Sequence, residues 1–388
     1  MTKVTRDHRI DLLRGFALAS IFINHMPGNW LERWTTRNFG FSDAAEIFVL
    51  LAGFAAALAF YPRLLRGDGW GVAWKAGRRA GRLYGAHIAA TAAAAALFWA
   101  FATISGNPDA LDLIGIAPLF TDPVPGLAGI AIGGHQLGYF NILPLYVVLL
   151  AMLPGILWLA RRDLRLALGV SAMVYLAANL AGLGLPNFPT DGTWFFNPFA
   201  WQILFVIGIA LGIARLEGRA VPWSPYLFAV CCAYLGFSAV WTVAGFGGVV
   251  AADVLPEWLG TLRKTNMPAT RLLHVLAGAY VLCQSRTWRW LERLPRNFPL
   301  TRMGRNSLPV FVAGSLLSMA GWIVLIVTDG GVVMQTLVVA VGLSLMWAVA
   351  FGLERATVVR QPARAPAFEA ATPVFGDAEP TPTITLRR

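Results

Sequence analysis

Arg9-Ile-Asp-Leu-Leu-Arg-Gly-Phe-Ala-Leu-Ala-Ser-Ile-Phe-Ile-Asn-His25 is the first apolar run of the chain, and it carries both an arginine and a histidine. Polar groups are costly in a membrane helix, so Asp11, Arg14 and His25 need a reason to be there. Eleven positions separate Arg14 from His25, which leaves them about 20° apart around a helix and roughly 16 Å apart along it. One helix face then holds a permanent cation at one end and a titratable imidazole deep in the bilayer. A long anionic cofactor suits that face, with its phosphates at Arg14 and its reactive end at His25.

Working outward, the whole chain reads as a membrane protein. Hydrophobic residues make up 57% of it and charged ones 13%, far from soluble usage. Apolar segments lie at about 12–26, 43–61, 83–104, 140–160, 164–183, 198–214, 223–245, 269–285, 306–327 and 332–353. Most approach the ~20 residues that cross a bilayer. The expected fold is an all-α integral membrane protein, a bundle of about ten transmembrane helices. It forms one domain over residues 1–353. A Pro/Ala-rich cytoplasmic tail at 354–388 is expected to be disordered.

The formal net charge of +11 invites a nucleic-acid partner, but the charge distribution argues against one. With the N-terminus in the cytoplasm and the segments alternating, 25 of the 31 basic residues fall on the cytoplasmic side. The positive-inside rule explains that bias without a polyanion. The chain is thus expected in a membrane, among lipid, with both termini cytoplasmic. The basic, apolar start resembles a signal peptide, yet no small-x-small cleavage site follows Met26, so a retained anchor is expected. Cys231, Cys232 and Cys283 show no metal spacing, and no metal site or loop disulfide is expected.

Two outer loops stand out. The stretch 106–138 is long, rich in Pro and Gly, and free of Lys and Arg; loops of that length are often functional, and it is expected to dip back over the outer face. Residues 184–197 are rich in Pro, Asn and aromatics. No inverted repeat of the transporter kind is visible.

Several polar residues invite a role. His25 is either an interfacial histidine or a general base, for which its ordinary pKa of ~6.5 is well suited; the Arg14 spacing favours the base. Glu46 opens the second segment on the side where the first ends, so its carboxylate could fix the His25 tautomer. Asp43-x-x-Glu46 also reads as a capping box, and the two readings are compatible. Arg78, Arg79 and Arg82 open the third helix, either as topology anchors or as a phosphate clamp, and His87 lies just deeper. His135 and Asn141 in Gly-Gly-His-Gln-Leu-Gly-Tyr-Phe-Asn, with Asn197, Trp201 and Gln202, are candidate acceptor contacts on the outer side. Asn24, Asn141 and Gln202 are candidate oxyanion donors. Ser307 reads as a helix cap. Arg33 and Arg37 follow His25 and either anchor the loop or pair with a carboxylate brought to the His25 region.

Taken together, these motifs resemble a known family. Asp-Leu-Leu-Arg14-Gly-Phe-Ala with His25 resembles the Arg-x10-His signature of the type-three membrane acyltransferases. Glu46-Ile-Phe-Val-Leu-Leu-Ala-Gly-Phe54 resembles their Phe-x-x-x-Ser-Gly-Phe motif, with Ala52 in place of the serine. Arg78-Arg79-x-x-Arg82-Leu-Tyr resembles their arginine motif. Asn141-Ile-Leu-Pro-Leu-Tyr146, Phe196-Asn-Pro-Phe-Ala-Trp-Gln202 and Gly304-Arg-Asn-Ser-Leu-Pro-Val-Phe311 look like the OpgC branch. The similarity runs from about residue 7 to 353. It implies an inner-membrane O-acyltransferase that takes acyl-coenzyme A as co-substrate, with no permanently bound cofactor. The acceptor it implies is a periplasmic glucan or related extracytoplasmic glycan, and the acyl group succinyl or acetyl. His25 takes the place of the essential histidine and Arg14 that of its paired arginine; Glu46 and the 78–82 arginines are carried over beside them. The rival reading is a proton-coupled transporter or a glycan exporter, which a buried Arg and His would also serve.

Overall fold

The computed structural model describes residues 7–244 and 263–360. Every regular element among them is helical, apart from one bridge between Pro186 and Thr193. Asp7 caps α1 (His8–Asn24) by accepting from the Arg9 amide at 3.0 Å. The helix stops at His25, ahead of Pro27 and a Gly28 with positive φ. The capping box read from the sequence is present: Asp43 and Glu46 close the first turn of α2 (Ala44–Leu65). The third helix, α3, begins at Gly69 rather than near Leu83, and runs to Ser105. Its polar first turns are capped by Asp68, so Arg78, Arg79 and Arg82 lie inside it. An apolar window alone misses such turns.

The stretch expected as a long irregular loop is mostly ordered in short helices: a 3-10 helix Pro108–Ile114, one turn at Pro118–Thr121 and α4 (Pro123–Ile132). Ile114, Ile116, Ile130, Leu137 and Phe140 form a satellite core with Phe98 and Met319, which accounts for the order. Then come α5 (Ile142–Arg162), α6 (Leu164–Leu180), α7 (Pro198–Leu216), α8 (Pro225–Val243), α9 (Ala269–Gln284), α10 (Arg286–Arg293), α11 (Pro299–Arg305), α12 (Ser307–Val327) and α13 (Val332–Arg360). Each of the ten predicted apolar segments contains a helix. Among the described residues, seven helices are long and apolar enough to cross a membrane: α2, α3, α5, α7, α8, α12 and most of α13. At 17, 17 and 16 residues, α1, α6 and α9 are shorter. The last helix continues to Arg360; the remainder of the expected tail, 361–388, lies outside the described residues.

Glycine contacts at two helix interfaces set the bundle. Gly53 of α2 sits on the Phe205 carbonyl, and Gly208 and Gly212 of α7 sit on the α2 backbone at Leu50 and Phe54. The spacing Gly-x-x-x-Gly at 208–212 lets two backbones approach where lipid offers no hydrophobic drive. On the other flank, Gly15 of α1 meets the Leu300 carbonyl and Gly304 of α11 meets that of Asp11. There Asp11 finds its partner, with Arg305 Nε 4.0 Å away, while Arg305 and Arg302 also bind Glu354 at 3.1 and 3.2 Å. Packing of α11 on α1 fixes the Arg14 face.

Candidate functional site

One end of the bundle holds a basic cavity of about 820 Å³. Arg14 from α1, Arg63 from α2, Lys75, Arg78, Arg79 and Arg82 from α3, and Arg305 from α11 line it. Among the described residues no carboxylate does. Arg79 lies over the Tyr146 ring, 5.6 Å from its centre, and Lys75 over that of Phe60, at 5.3 Å. Arg305 is paired with Glu354 and Arg63 with Asp68, but so many cations around one void still favour the entry of an anion, and arginine forks match phosphate oxygens. Ser307 also lines this cavity, but it does not cap α12; its hydroxyl donates back to the Gly304 carbonyl.

The opposite end holds a second cavity, of about 610 Å³, with His25 in its wall. The His25 ring stacks on Tyr139, with centroids 4.2 Å and planes 14° apart. Its Nδ1 is buried and has no hydrogen-bond partner among the described residues. Arg37, Arg263, Lys264 and Arg271 line the same space, with Asp43. Ile142 and Phe311 belong to the walls of both cavities. The arginine end and the histidine end therefore meet across two apolar side chains.

Glu46 is not on the imidazole. Its Oε2 accepts the Asp43 amide at 2.9 Å, and its Oε1 accepts from Arg271 Nε at 2.7 Å, with Arg271 Nη2 2.6 Å away in the same ion pair. Asp43 in turn binds Lys264 and lies 3.7 Å from Arg271 Nη2. Helix capping and Arg271 thus claim the carboxylate expected to orient His25. Asn24 Oδ1 accepts from the Thr35 hydroxyl at 2.7 Å. Arg37 lines the His25 cavity and bonds Glu32 at 2.6 Å; Arg33 lines none of the three cavities described here. Sequence reading missed Tyr139, Lys264, Arg271 and Ser42, whose hydroxyl lies 2.6 Å from His274 Nδ1. Tyr139 lies within the quoted run that holds His135, and Ser42 just before the capping box, but nothing in the order of residues places any of the four in this site.

A third cavity, of about 530 Å³, holds His135 and opens beside the second; Asn141 and Phe195 line both. Burial holds the His135 imidazole below its ordinary pKa, against the opposing pull of the Gly115 backbone. Trp201 and Gln202 lie elsewhere. Trp201 is wholly buried and donates to the Lys264 carbonyl at 2.8 Å. Gln202 bonds Ser171 Oγ at 2.7 Å and its carbonyl at 2.8 Å. Neither lines a cavity described here, because the face of α7 that carries them packs against α6 and the 264–267 segment; they brace the site's wall. Asn197 is tied to the Leu183 carbonyl at 2.7 Å and to Asn266 at 3.0 Å. His87 is buried in α3 and lines none of the three cavities.

A family model described as OpgC protein matches residues 6–358. No curated protein and no solved structure matches the chain.

Proposed function

The chain belongs to the OpgC family, and from that premise we propose that it is a membrane O-acyltransferase. It moves an acyl group from cytoplasmic acyl-coenzyme A to a hydroxyl of a periplasmic glucan or related extracytoplasmic glycan. The basic end faces the cytoplasm of a bacterial inner membrane. The observation that carries this reading is the wall shared at Ile142 and Phe311 by the arginine cavity and the His25 cavity. A donor with a polyanionic head and a long thin arm fits two such voids end to end.

In this mechanism Arg14, Arg78, Arg79 and Arg82 hold the phosphates. The pantetheine arm passes between Ile142 and Phe311 and brings the thioester to His25. The acceptor oxygen attacks the thioester carbonyl as His25 takes its proton. Collapse of the tetrahedral adduct breaks the carbon–sulfur bond, and His25 returns the proton to the departing thiolate. An acyl-histidine is the competing route. Glu46 acts at one remove, holding Arg271 and Asp43 in the cavity wall. A succinyl donor suits the site, because Arg37, Lys264 and Arg271 stand where its free carboxylate would arrive.

The test uses the purified chain, succinyl- and acetyl-coenzyme A, and a neutral gluco-oligosaccharide. Ester-linked acyl glycan and an equal yield of free thiol are expected. A protein that neither releases thiol nor acylates glycan, yet moves protons or glycan across vesicles, would return the chain to the transporter reading.

A further inference from the structure

The third cavity contrasts with the other two. Arg or Lys side chains line the first two; among the described residues, no charged side chain lines the third. Its wall is built from Gly134, His135, Gln136, Asn187, Thr190 and Thr193, with Asn141 and Phe195 at the edge shared with the His25 cavity. The pocket falls within the roughly 300–1,000 Å³ typical of small-ligand sites.

Two of its polar atoms lack partners. His135 is 6% exposed, and its Nε2 is buried without a hydrogen-bond partner among the described residues. Gln136 Oε1 is in the same condition, while Gln136 Nε2 donates to the Gly133 carbonyl at 3.1 Å. Unsatisfied buried polar atoms are rare enough to need a cause. Here the two residues that carry them are neighbours in the chain and both line one cavity. Burial disfavours the charged form of the His135 imidazole, so the pair can exchange hydrogen bonds with hydroxyls but brings no fixed cation to offset a carboxylate.

The frame around them is ordered. The Phe188 amide donates to the Gly134 carbonyl at 3.2 Å, joining the 184–197 loop to the His135 turn. Within that loop the Asn187 amide bonds the Gly192 carbonyl at 2.9 Å and the Trp194 amide the Leu185 carbonyl at 2.9 Å. The threonines and Asn187 thus sit on a braced hairpin. Phe195 is 47% exposed and offers an aromatic edge between the two cavities. Neutral donors and acceptors around an exposed aromatic are the chemistry that recognises a sugar ring.

We propose that this cavity is a glycan-binding site: it seats an uncharged sugar unit adjacent to the one acylated, so that the next ring projects past Asn141 and Phe195 toward His25. Only the naming of this ligand as the acceptor rests on the transferase reading. The site discriminates by charge, because a uronic carboxylate would enter a void with no cation in its described wall.

The experiment reads glycan binding without any acyl donor. Full-length purified protein is titrated with a ladder of neutral gluco-oligosaccharides, and with uronic-acid oligosaccharides of equal length. Saturable binding of the neutral series is expected, rising up to two or three rings. Gln136→Ala and Thr193→Val should each weaken it several-fold to about tenfold, as for one lost hydrogen bond, and the uronic series should bind at least that much more weakly. Thr193 lies on the exposed rim, so Thr193→Val keeps the test valid if Gln136→Ala does not fold. Wild-type protein that binds no neutral glycan, binds the uronic series equally well, or is unaffected by both substitutions overturns the proposal. If both substitutions leave binding unchanged while acyl transfer proceeds, this site fails and the transferase reading stands. If glycan binds as expected but no acyl transfer occurs, the transferase reading fails and this site stands.

Discussion

Arg271 Nε lies 2.7 Å from Glu46 Oε1, although 225 positions separate the two residues along the chain. Both side chains are buried. Losing one partner of such a pair leaves an uncompensated charge and costs about 3–5 kcal/mol. Glu46→Ala and Arg271→Ala are therefore each expected to lower the unfolding temperature of the purified protein markedly. The double substitution should cost less than the sum of the two. A Glu46→Ala protein with wild-type thermal stability and no turnover would instead make Glu46 a direct participant in the chemistry.

His25→Ala should abolish acyl transfer while the protein inserts at normal abundance and still binds coenzyme A. The general-base role needs the imidazole, whereas the donor's phosphates are held in the other cavity. Turnover at the wild-type rate by a well-expressed His25→Ala protein would end the base assignment.

Replacing Arg78, Arg79 and Arg82 together by Gln should weaken coenzyme A binding at least a hundredfold. Hydrogen bonds to charged groups contribute about 1.5–3 kcal/mol each, and the basic cavity has no described carboxylate to offset the loss. Added salt should weaken wild-type binding in the same direction. Equal affinity for wild type and triple variant in a binding titration would reduce the cluster to topology signalling.

Donor choice tests the cations around His25. Arg37→Ala and Lys264→Ala should each reduce kcat/KM for succinyl-coenzyme A by about tenfold or more, with a smaller effect on acetyl-coenzyme A. Arg33→Ala should change neither, since Arg33 lines none of these cavities. An unchanged succinyl-to-acetyl ratio in the Lys264 variant would remove the carboxylate contact from the mechanism.

Gly304→Ala tests the seat of α11 on α1. The added methyl group would collide with the Asp11 carbonyl, and overpacking of that kind costs about 1–3 kcal/mol. Reduced thermal stability is expected, with weakened coenzyme A binding, because Arg14 and Arg305 share that interface. Unaltered stability would mean that the two helices separate without penalty.

Much of this protein is legible along the chain. Hydropathy is a local property, so the membrane class and a helix at each of the ten segments follow from composition and run length. The Asp43–Glu46 capping box depends on a spacing of three residues and can be read from the order of residues. The Gly-x-x-x-Gly at 208–212 was readable in the same way, as a signal of close helix packing. What surrounds His25 was not. Tyr139, Lys264 and Arg271 reach the His25 cavity from distant segments, and an apolar helix carries no local mark of which face meets which neighbour. For the same reason Trp201 and Gln202, which have the residue types of a sugar site, turn out to be wall. Tertiary packing alone decided that Glu46 binds Arg271, that Ile142 and Phe311 divide the cationic cavity from the histidine cavity, and that an uncharged cavity opens beside them. Those relationships exist only where helices remote in sequence bury one another's side chains.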